Sequence, residues 1–355
     1  MCCIKKITVF LFGLLFIPAA FSQINVIPDS LASIQDTDSL HTLRKNGVKA
    51  ATYVFATNIG VWTFDRFVLD GSFARINLST MKENIKTGFV WDNDMFSTNL
   101  FAHPYHGGTY FNSARSNGMN FWQSVPYAVG GSLMWEYLME NEPGAINDFV
   151  ATTIGGAALG EITFRISDLI IDDRAVGFDR FKREALLTVI SPLRGINRII
   201  SGDAWKHRNI RGHTIPKVPV VFYTSVGHRI IHDNSQRDVD VSNMLSYHLG
   251  MYYGDPFSVD NEKPYDFFSI KMSGNFFSQQ PLIDRFNLLG MLIAKDITLK
   301  NQNRQLSVGL FQHFNYYQAQ ADINNVSLSP YKISEAASAG PGLLYMSKPT
   351  KRTTF

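Results

Sequence analysis

Cysteine is almost absent from this chain of 355 residues. The two cysteines, Cys2 and Cys3, precede a short apolar run, so removal of the first 22 residues would leave none. Disulfide bonds, thiol chemistry and cysteine-ligated zinc are therefore excluded for the remainder of the chain. Without disulfides, the remainder of the chain is held together by packing or by a sheet closed on itself.

A strong charge of either sign is also missing, since the net charge at pH 7 is +3. This balance gives no indication of a nucleic-acid partner. The sequence contains neither Gly-x-Ser-x-Gly nor His-Glu-x-x-His, and no Lys-Ser/Thr follows Gly155-Gly156. Hydrolase, zinc-protease and phosphate-loop interpretations therefore lack their usual motifs.

The first 22 residues have the pattern of a cleaved secretory signal peptide. Lys5 and Lys6 precede the apolar run ITVFLFGLLFIPAA, and Ala20-Phe21-Ser22 offers small residues to a signal peptidase. The run is short for a membrane-spanning helix, and no cysteine follows it as a lipoprotein would require. We expect an exported protein that begins at Gln23; an uncleaved anchor is the alternative.

Composition and hydrophobic pattern divide the chain into four regions: a signal peptide over 1–22, a polar linker over 23–43, a helical domain over 44–212 and a β-rich region over 213–355. Within the helical domain, Arg44 to about Asp70 has apolar residues at helical spacing. Two further apolar helices are predicted at about Ser113–Glu140, with Pro126 breaking or kinking it, and at about Ala145–Ile170.

Small residues occur in both of these later helices, and they let two helix backbones approach closely. They are Ala128, Gly131 and Ser132 in the first helix, and Gly155, Gly156, Ala157 and Gly160 in the second. Between the two helices, Asn141-Glu142-Pro143-Gly144 has the composition of a turn. The sequence therefore predicts that the two helices pack on each other as a hairpin.

Apolar and polar residues alternate after about Gly212, as in β-strands. The six predicted strands are Pro219–His228, Asn243–Gly254, Asp266–Phe277, Arg285–Ile297, Gln305–Gln318 and Ser334–Met346, and a polar Lys-Asn-Gln-Asn-Arg turn joins the fourth and fifth as a hairpin. The chain has 27 Phe, 14 Tyr and 5 Trp, as expected for aromatic belts at a membrane or for a large core. Export and strand length favour a transmembrane β-barrel over a soluble sandwich.

Six strands are fewer than the eight or so of the smallest single-chain bacterial barrels. Either an upstream segment such as Glu83–Phe96 joins the sheet, or the barrel does not close within this chain. The predicted fold class is α+β, with a helical N-terminal domain followed by an antiparallel β-barrel-like sheet of the outer-membrane type that is complete or incomplete in this chain.

Unusual polar residues are concentrated in an apolar setting in the middle of the chain. The segments FVWDNDMFSTNLFAHPYHGGTYFNSARSNG and GSLMWEYLMENEPGAINDFVATTIGGAALGE resemble the family catalogued as domain of unknown function 3943, from roughly Gly88 to Asp203. Members resemble this chain in carrying a signal peptide before the motif and β-rich sequence after it, in Gram-negative envelopes. The resemblance implies a location and an architecture, and it implies no activity.

Two pairs of residues in this region have the side-chain types of a metal site, His103-x-x-His106 and Glu136 with Glu140. The two glutamates share a helix face, and the histidines lie in a Pro/Gly-rich stretch predicted to be a turn. With Asp148 in place of Glu140, the set contains the candidates for acid–base catalysis: His103, His106, Glu136 and Asp148. The alternatives are hydrogen-bonding histidines, a solvated Glu140 and a helix cap at Asn147-Asp148.

A carboxylate on an apolar helix also needs a partner of opposite charge. Arg115, Glu161 and Arg165 lie on the neighbouring predicted helical segments. We therefore predict a buried ion pair of Glu136 with Arg165 or with Arg115, and Glu161 is a further candidate for the same network.

Three hypotheses about function follow. The first is an outer-membrane protein of unknown activity whose helical domain docks on or in a barrel, with outer-membrane lipid as partner and the periplasm as the alternative location. The second is an envelope enzyme acting on lipid or cell-wall material through the histidine and carboxylate candidates. The third is a small-solute channel lined by the polar strand faces. The sequence assigns no cofactor and leaves the oligomeric state open.

Overall fold

The computed structural model describes residues 40–92, 98–233, 240–258, 263–277, 280–298, 304–323 and 326–347. The predicted signal peptide, the mature start at Gln23, most of the predicted linker and the C-terminal segment KPTKRTTF lie outside these residues.

Helices make up the first part of the described chain. They are α1 (Gly47–Phe67), α2 (Leu78–Thr87), α3 (His103–Arg115), α4 (Phe121–Leu138), α5 (Ile146–Val150), α6 (Gly156–Ile170), α7 (Gly177–Ile190) and α8 (Pro192–Ser201). Two single π-helical turns, Thr98–Ala102 and Ala151–Gly155, lead directly into α3 and α6. In the part of the chain that the structure describes, no helix is both long and apolar enough to cross a membrane.

The helix predicted over Arg44–Asp70 is present as α1, but the helix predicted over Ser113–Glu140 is wrong at its start. Two helices occupy this region, and Gly118 in the left-handed conformation, with φ of 81°, lies between them. Asn120 then caps α4, because its side chain accepts a hydrogen bond from the Gln123 amide. Pro126 lies inside α4 without ending it.

The stretch His103-Pro104-Tyr105-His106-Gly107-Gly108, predicted to be a turn, is the start of α3. Proline is tolerated there because the first amides of a helix have no intrahelical acceptor. Both glycines serve a close crossing with α6 and its preceding π-turn. A Cβ on Gly107 would overlap the carbonyl of Thr152, and a Cβ on Gly156 would lie 2.6 Å from the Gly107 Cα atom.

This crossing confirms that small residues bring two helix backbones together, but the partner differs from the predicted one. The glycines of α6 meet α3, and α4 packs beside them. Tyr110 of α3 fills the space that a side chain on Gly131 of α4 would need. The sequence predicted the small residues correctly and did not predict which helix they contact.

The rest of the chain forms a six-stranded antiparallel sheet. Its strands are β1 (Val220–Asp233), β2 (Asp240–Tyr253), β3 (Phe268–Phe276), β4 (Arg285–Thr298), β5 (Arg304–Ile323) and β6 (Val326–Ser347), and each pairs with the next along the chain. All six predicted strands are therefore present, and so is the β4–β5 hairpin. The α+β class is correct.

Within the described residues the sheet is open, with β1 and β6 as its edges. The predicted upstream contributor, Glu83–Phe96, begins in helix α2 and adds one isolated bridge, from Val90 to Ala145. Residues 83–87 of this segment are helical because the capping box at Asn77 starts α2.

One face of the sheet packs on the helices. It contributes aromatic and aliphatic side chains to the same core as α3, α4 and α6; these include Met251, Tyr253, Phe268, Leu288, Phe314 and Tyr316. By register, the opposite face carries Ser269, Lys271 and Ser273 of β3 and, on β4 and β5, the apolar side chains of Met291 and Phe311. Both faces therefore contain buried apolar side chains, and the helices pack on the first.

Hydrogen bonds fix the position of the helices on that face. Gln312 of β5 donates its amide to the carbonyl oxygen of Ile154 at 2.8 Å, and Tyr265 donates its hydroxyl to Gln312 at 2.8 Å. The Tyr265 ring stacks on Phe121 of α4 with 5.7 Å between ring centroids. Tyr265 has a φ of 64°, a conformation that a bulky residue adopts only when its surroundings hold it there.

The crossing of α3 and α6 predicts the effect of Gly107→Ala. Because the added methyl group overlaps backbone, we expect a loss of about 1–3 kcal/mol in the free energy of unfolding. Gly130→Ala in α4 is the matched control, since no atom lies within 4 Å of its Cβ position. The control is expected to gain up to about 1 kcal/mol from helix propensity. Equal denaturation midpoints for the two variants would contradict the close crossing.

Candidate functional site

Three of the predicted site residues meet in one place. His103 is the first residue of α3, Glu136 lies in the last turn of α4, and Asp148 lies in α5. Each offers one nitrogen or oxygen atom, and these three atoms lie within 4.8 Å of one another. All three residues are buried, with exposed fractions of 8%, 1% and 4%. The first π-turn ends where α3 begins, at His103. The second π-turn follows α5, which contains Asp148, so the two turns position these two residues.

Each of the three side chains is held by one of its polar atoms. His103 Nδ1 lies 3.3 Å from the hydroxyl of Thr152 in the second π-turn. Glu136 accepts a hydrogen bond from the Ala145 amide through Oε2 at 2.8 Å. Asp148 accepts one from the side-chain amide of Asn147 through Oδ1 at 2.9 Å. The opposite atom of each group is therefore directed into the space that they share.

Two of the inward-directed atoms have no hydrogen-bond partner among the described residues, His103 Nε2 and Glu136 Oε1. His103 Nε2 lies 3.4 Å from Asp148 Oδ2, but the two atoms do not have hydrogen-bond geometry. A buried polar atom without a partner costs free energy and is rare in folded proteins. The cluster is thus a place where the fold leaves polar capacity unused.

Burial controls the protonation of the cluster. Burial lowers the pKa of His103 to about 4, although the carboxylate of Asp92 opposes this effect. Burial raises the pKa of Glu136 to about 9, and the charge of Glu140 adds to it, while the Ala145 amide opposes it. At neutral pH and without a bound cation, the histidine is therefore neutral and Glu136 carries a proton.

This arrangement has two chemical capacities. A protonated carboxylic acid beside a neutral imidazole can donate and accept protons, as general acid–base catalysis requires. One imidazole nitrogen and two carboxylates are also the side-chain types that hold a divalent metal ion.

His106 and Glu140 lie outside the cluster, in contrast to the predicted metal set. The hydroxyl of Tyr110 lies 2.9 Å from His106 Nε2, and the imidazole packs against Trp135 with 4.9 Å between ring centroids. Burial lowers the pKa of His106 to about 3. Glu140 accepts a hydrogen bond from the Trp135 indole instead. The predicted turn would have directed both imidazole rings to one point. The stretch is a helix instead, and the rings of His103 and His106 point in different directions.

The helix cap predicted at Asn147-Asp148 is also wrong. Ala145 occupies the cap position of α5, and its side chain makes no capping bond. Asn147 instead bridges two carboxylates, since its amide donates to Asp92 and to Asp148, both at 2.9 Å. These residues therefore belong to the cluster and its support.

The predicted ion pair of Glu136 with Arg115 or Arg165 is not formed, because both arginines bind Glu161. Arg115 contacts the Glu161 carboxylate at 2.6 Å and Arg165 at 2.8 Å. Arg165 also donates to the Pro264 carbonyl and to Asp266 beside the sheet. Burial would raise the pKa of Glu161, but the two guanidinium groups outweigh burial and lower it. Of the four ion-pair candidates, Arg115, Glu161 and Arg165 form this network and Glu136 lies outside it.

A second buried network was missed by the sequence reasoning. Arg194 pairs with Asp168, which also accepts hydrogen bonds from the amides of Thr214 and Ile215. Arg198 contacts Glu184 at 2.8 Å and Asp173 at 2.6 Å. These pairs join α6, α7 and α8 to the segment that leads into β1. Arginines and acids recurring within amphipathic helices were the available signal.

Comparison with known families identifies the central region. The model of a family described as a domain of unknown function (DUF3943) matches residues 88–193. Residues 88–193 are thus similar to this family, as the sequence resemblance predicted, and they include the whole histidine–carboxylate cluster. A comparison with curated proteins finds no match, and a comparison with solved structures finds none.

Glu136→Gln is expected to become more stable than the wild type as the pH rises. The folded wild type keeps the Glu136 proton up to a pKa of about 9, whereas the unfolded chain releases it near 4.5. Wild-type stability therefore falls between these pH values, by at most about 1.4 kcal/mol per pH unit. Glutamine cannot ionise, so the variant lacks this loss.

The measurement is the denaturation midpoint of both proteins between pH 5 and 9 in a chelating buffer. Glu142→Gln, at an exposed position, is the control. A difference between Glu136→Gln and the wild type that does not change with pH would show that Glu136 is ionised when folded.

Arg165→Met tests the ion network that connects α6 to the sheet. Removing one partner of a buried ion pair typically costs about 3–5 kcal/mol, because the remaining charges stay buried. Arg75→Met is the control, since Arg75 and Asp70 form a largely exposed pair worth about 0–1 kcal/mol. Chemical denaturation should separate the two variants clearly. Equal midpoints would mean that Arg115 alone satisfies Glu161.

Proposed function

We propose that this chain is an outer-membrane protein of the cell envelope whose helical domain is docked on its sheet. The observation that carries the proposal is that the sheet face that packs on the helices carries further large apolar side chains beyond the area that the helices cover. Large apolar side chains on this face, or in register with it, are 37–65% exposed: Phe222, Val226, Ile230, Ile293, Ile297, Val308, Leu310, Leu343 and Tyr345. An exposed apolar area of this extent needs a cover, and lipid provides one.

The helical domain adds a second exposed apolar area. Around the cleft between α7 and α8, large side chains are open to solvent: Val176, Phe178, Phe181, Ile199, Ile200 and Trp205. Aromatic residues of this type are common where a protein surface meets the headgroups of a bilayer. The proposal assigns this area to the membrane interface.

The docking itself accounts for the buried polar residues between helices and sheet. Arg165 reaches from α6 to Asp266, and Gln312 reaches from β5 to the second π-turn. Within a membrane, unpaired strand edges are not tolerated. We therefore infer that the edges of β1 and β6 are paired or covered when the sheet lies in a membrane.

An envelope enzyme acting on lipid or cell-wall material is the second candidate. One observation favours it: His103, Glu136 and Asp148 meet, as an acid–base site requires, although they come from three different helices. His106 is not part of this set. The two candidates differ in what these residues do, because an enzyme needs them for activity and a docking protein needs them for the fold.

Membrane fractionation tests the proposed location. The full chain, expressed in a Gram-negative host, is expected to lose residues 1–22 and to be recovered with outer membranes, beginning at Gln23. Mass spectrometry of the mature N-terminus and separation of inner from outer membranes provide the measurement. A chain without residues 2–22 is the control, and it should remain inside the cell. Recovery as a soluble periplasmic protein after gentle lysis would overturn the proposal.

A further inference from the structure

We propose that His103, Glu136 and Asp148 bind one divalent transition-metal ion of the zinc type, through Nε2 of the histidine and one carboxylate oxygen from each acid. This inference goes beyond the proposed function, since it requires neither membrane association nor a particular reaction. It differs from the metal site predicted from the sequence, which contained His106 and Glu140 and did not contain Asp148.

The distances suit such an ion. Zinc holds nitrogen and oxygen ligands at about 2.0–2.1 Å in tetrahedral geometry, so two ligand atoms lie about 3.3 Å apart. His103 Nε2 and Asp148 Oδ2 are 3.4 Å apart, and the three ligand atoms all lie within 4.8 Å of one another. Binding then needs a movement of at most about 1.5 Å at Glu136, within the reach of a carboxylate rotation.

The hydrogen bonds behind the cluster are those that orient metal ligands. A metal-bound histidine usually donates its second ring N–H to a neighbouring oxygen. The Thr152 hydroxyl stands 3.3 Å from His103 Nδ1 and can accept that proton, which leaves the lone pair on Nε2. The Ala145 amide and the Asn147 side chain donate hydrogen bonds that hold the carboxylates of Glu136 and Asp148. All three ligands are thus positioned from behind.

Electrostatics supply the reason for a cation. With its proton on Nδ1, His103 presents a lone pair to the carboxylate of Asp148, so two acceptors face each other at 3.4 Å. Glu136 Oε1 adds an acceptor that is buried and has no partner among the described residues. A cation bound between the imidazole nitrogen and this oxygen would give both buried atoms a partner.

The ligand types select the class of ion. Calcium and magnesium prefer oxygen ligands only, in larger numbers, whereas imidazole favours zinc and its neighbours. Three protein ligands leave a position for water or substrate, which is the pattern of a catalytic rather than a structural zinc site. The residues beside the cluster include Asp92, whose carboxylate is held by Asn147 and acts electrostatically on His103.

Zinc titration of the purified mature chain tests the proposal. After treatment with a chelator, the protein is expected to bind one equivalent of zinc chloride and to melt at a higher temperature. Glu136→Gln and Asp148→Asn should each lose this binding while still folding, since both keep the shape of the side chain. Glu142→Gln, at an exposed position outside the cluster, is the matched control and should bind like the wild type.

Two further measurements separate this site from weak binding elsewhere. Thr152→Val removes the support of His103 and should weaken zinc about 10–100-fold. Calorimetry in two buffers of different ionisation enthalpy should show about one proton released per zinc ion at neutral pH, because Glu136 must ionise to bind. His248→Ala, an exposed histidine on the sheet, should change neither result.

The proposal is overturned if the wild type binds no stoichiometric zinc, or if Glu136→Gln and Asp148→Asn bind it as tightly as the wild type. Circular dichroism in chelator establishes that each variant is folded. Failure here is distinct from failure of the proposed location, because the titration requires only the purified chain.

Discussion

Helices α3 and α6 meet through their backbones, and this contact is the constraint from which the other features follow. It is possible because glycine stands on both sides of the crossing, at Gly107 and Gly156, where a Cβ atom would overlap the opposing chain. The same contact places the start of α3 beside the second π-turn, so His103 meets Thr152. At the other end of α3, the same contact places Arg115 beside Glu161. A larger residue at the crossing would separate both pairs together.

Two kinds of buried polar group lie on either side of this crossing, and they differ in how they are satisfied. Glu161 is fully compensated, since two guanidinium groups hold its charge and lower its pKa. Glu136 has no such compensation among the described residues, and burial raises its pKa to about 9. The first arrangement stabilises a structure. The second arrangement keeps an acid protonated at neutral pH and lowers the stability of the fold. Groups of this kind are typical of sites that bind or react with something.

The sheet relates these helices to a second surface. One of its faces packs against α3, α4 and α6, and hydrogen bonds of Arg165 and Gln312 fix the position of the helices on it. The π-turn before α6 contacts both places: Thr152 lies beside His103, and the Ile154 carbonyl accepts a hydrogen bond from Gln312 of the sheet. The cluster and the attachment to the sheet therefore both depend on where α6 begins.

The sequence alone determined the elements with a strong local period. Six alternating segments became six strands, the helix after Arg44 became α1, and the small residues of α6 indicated a close helix contact, because side-chain period and size are local properties. Only the tertiary structure decided the partners. Arg115 and Arg165 could reach either Glu136 or Glu161, and His106 could have joined His103; the choice was made by the α3–α6 crossing, by a helix where a turn was predicted, and by two π-turns that rotate the following residues. Asp148 entered the cluster for the same reason, since distances between residues on different helices are set by packing and not by spacing along the chain.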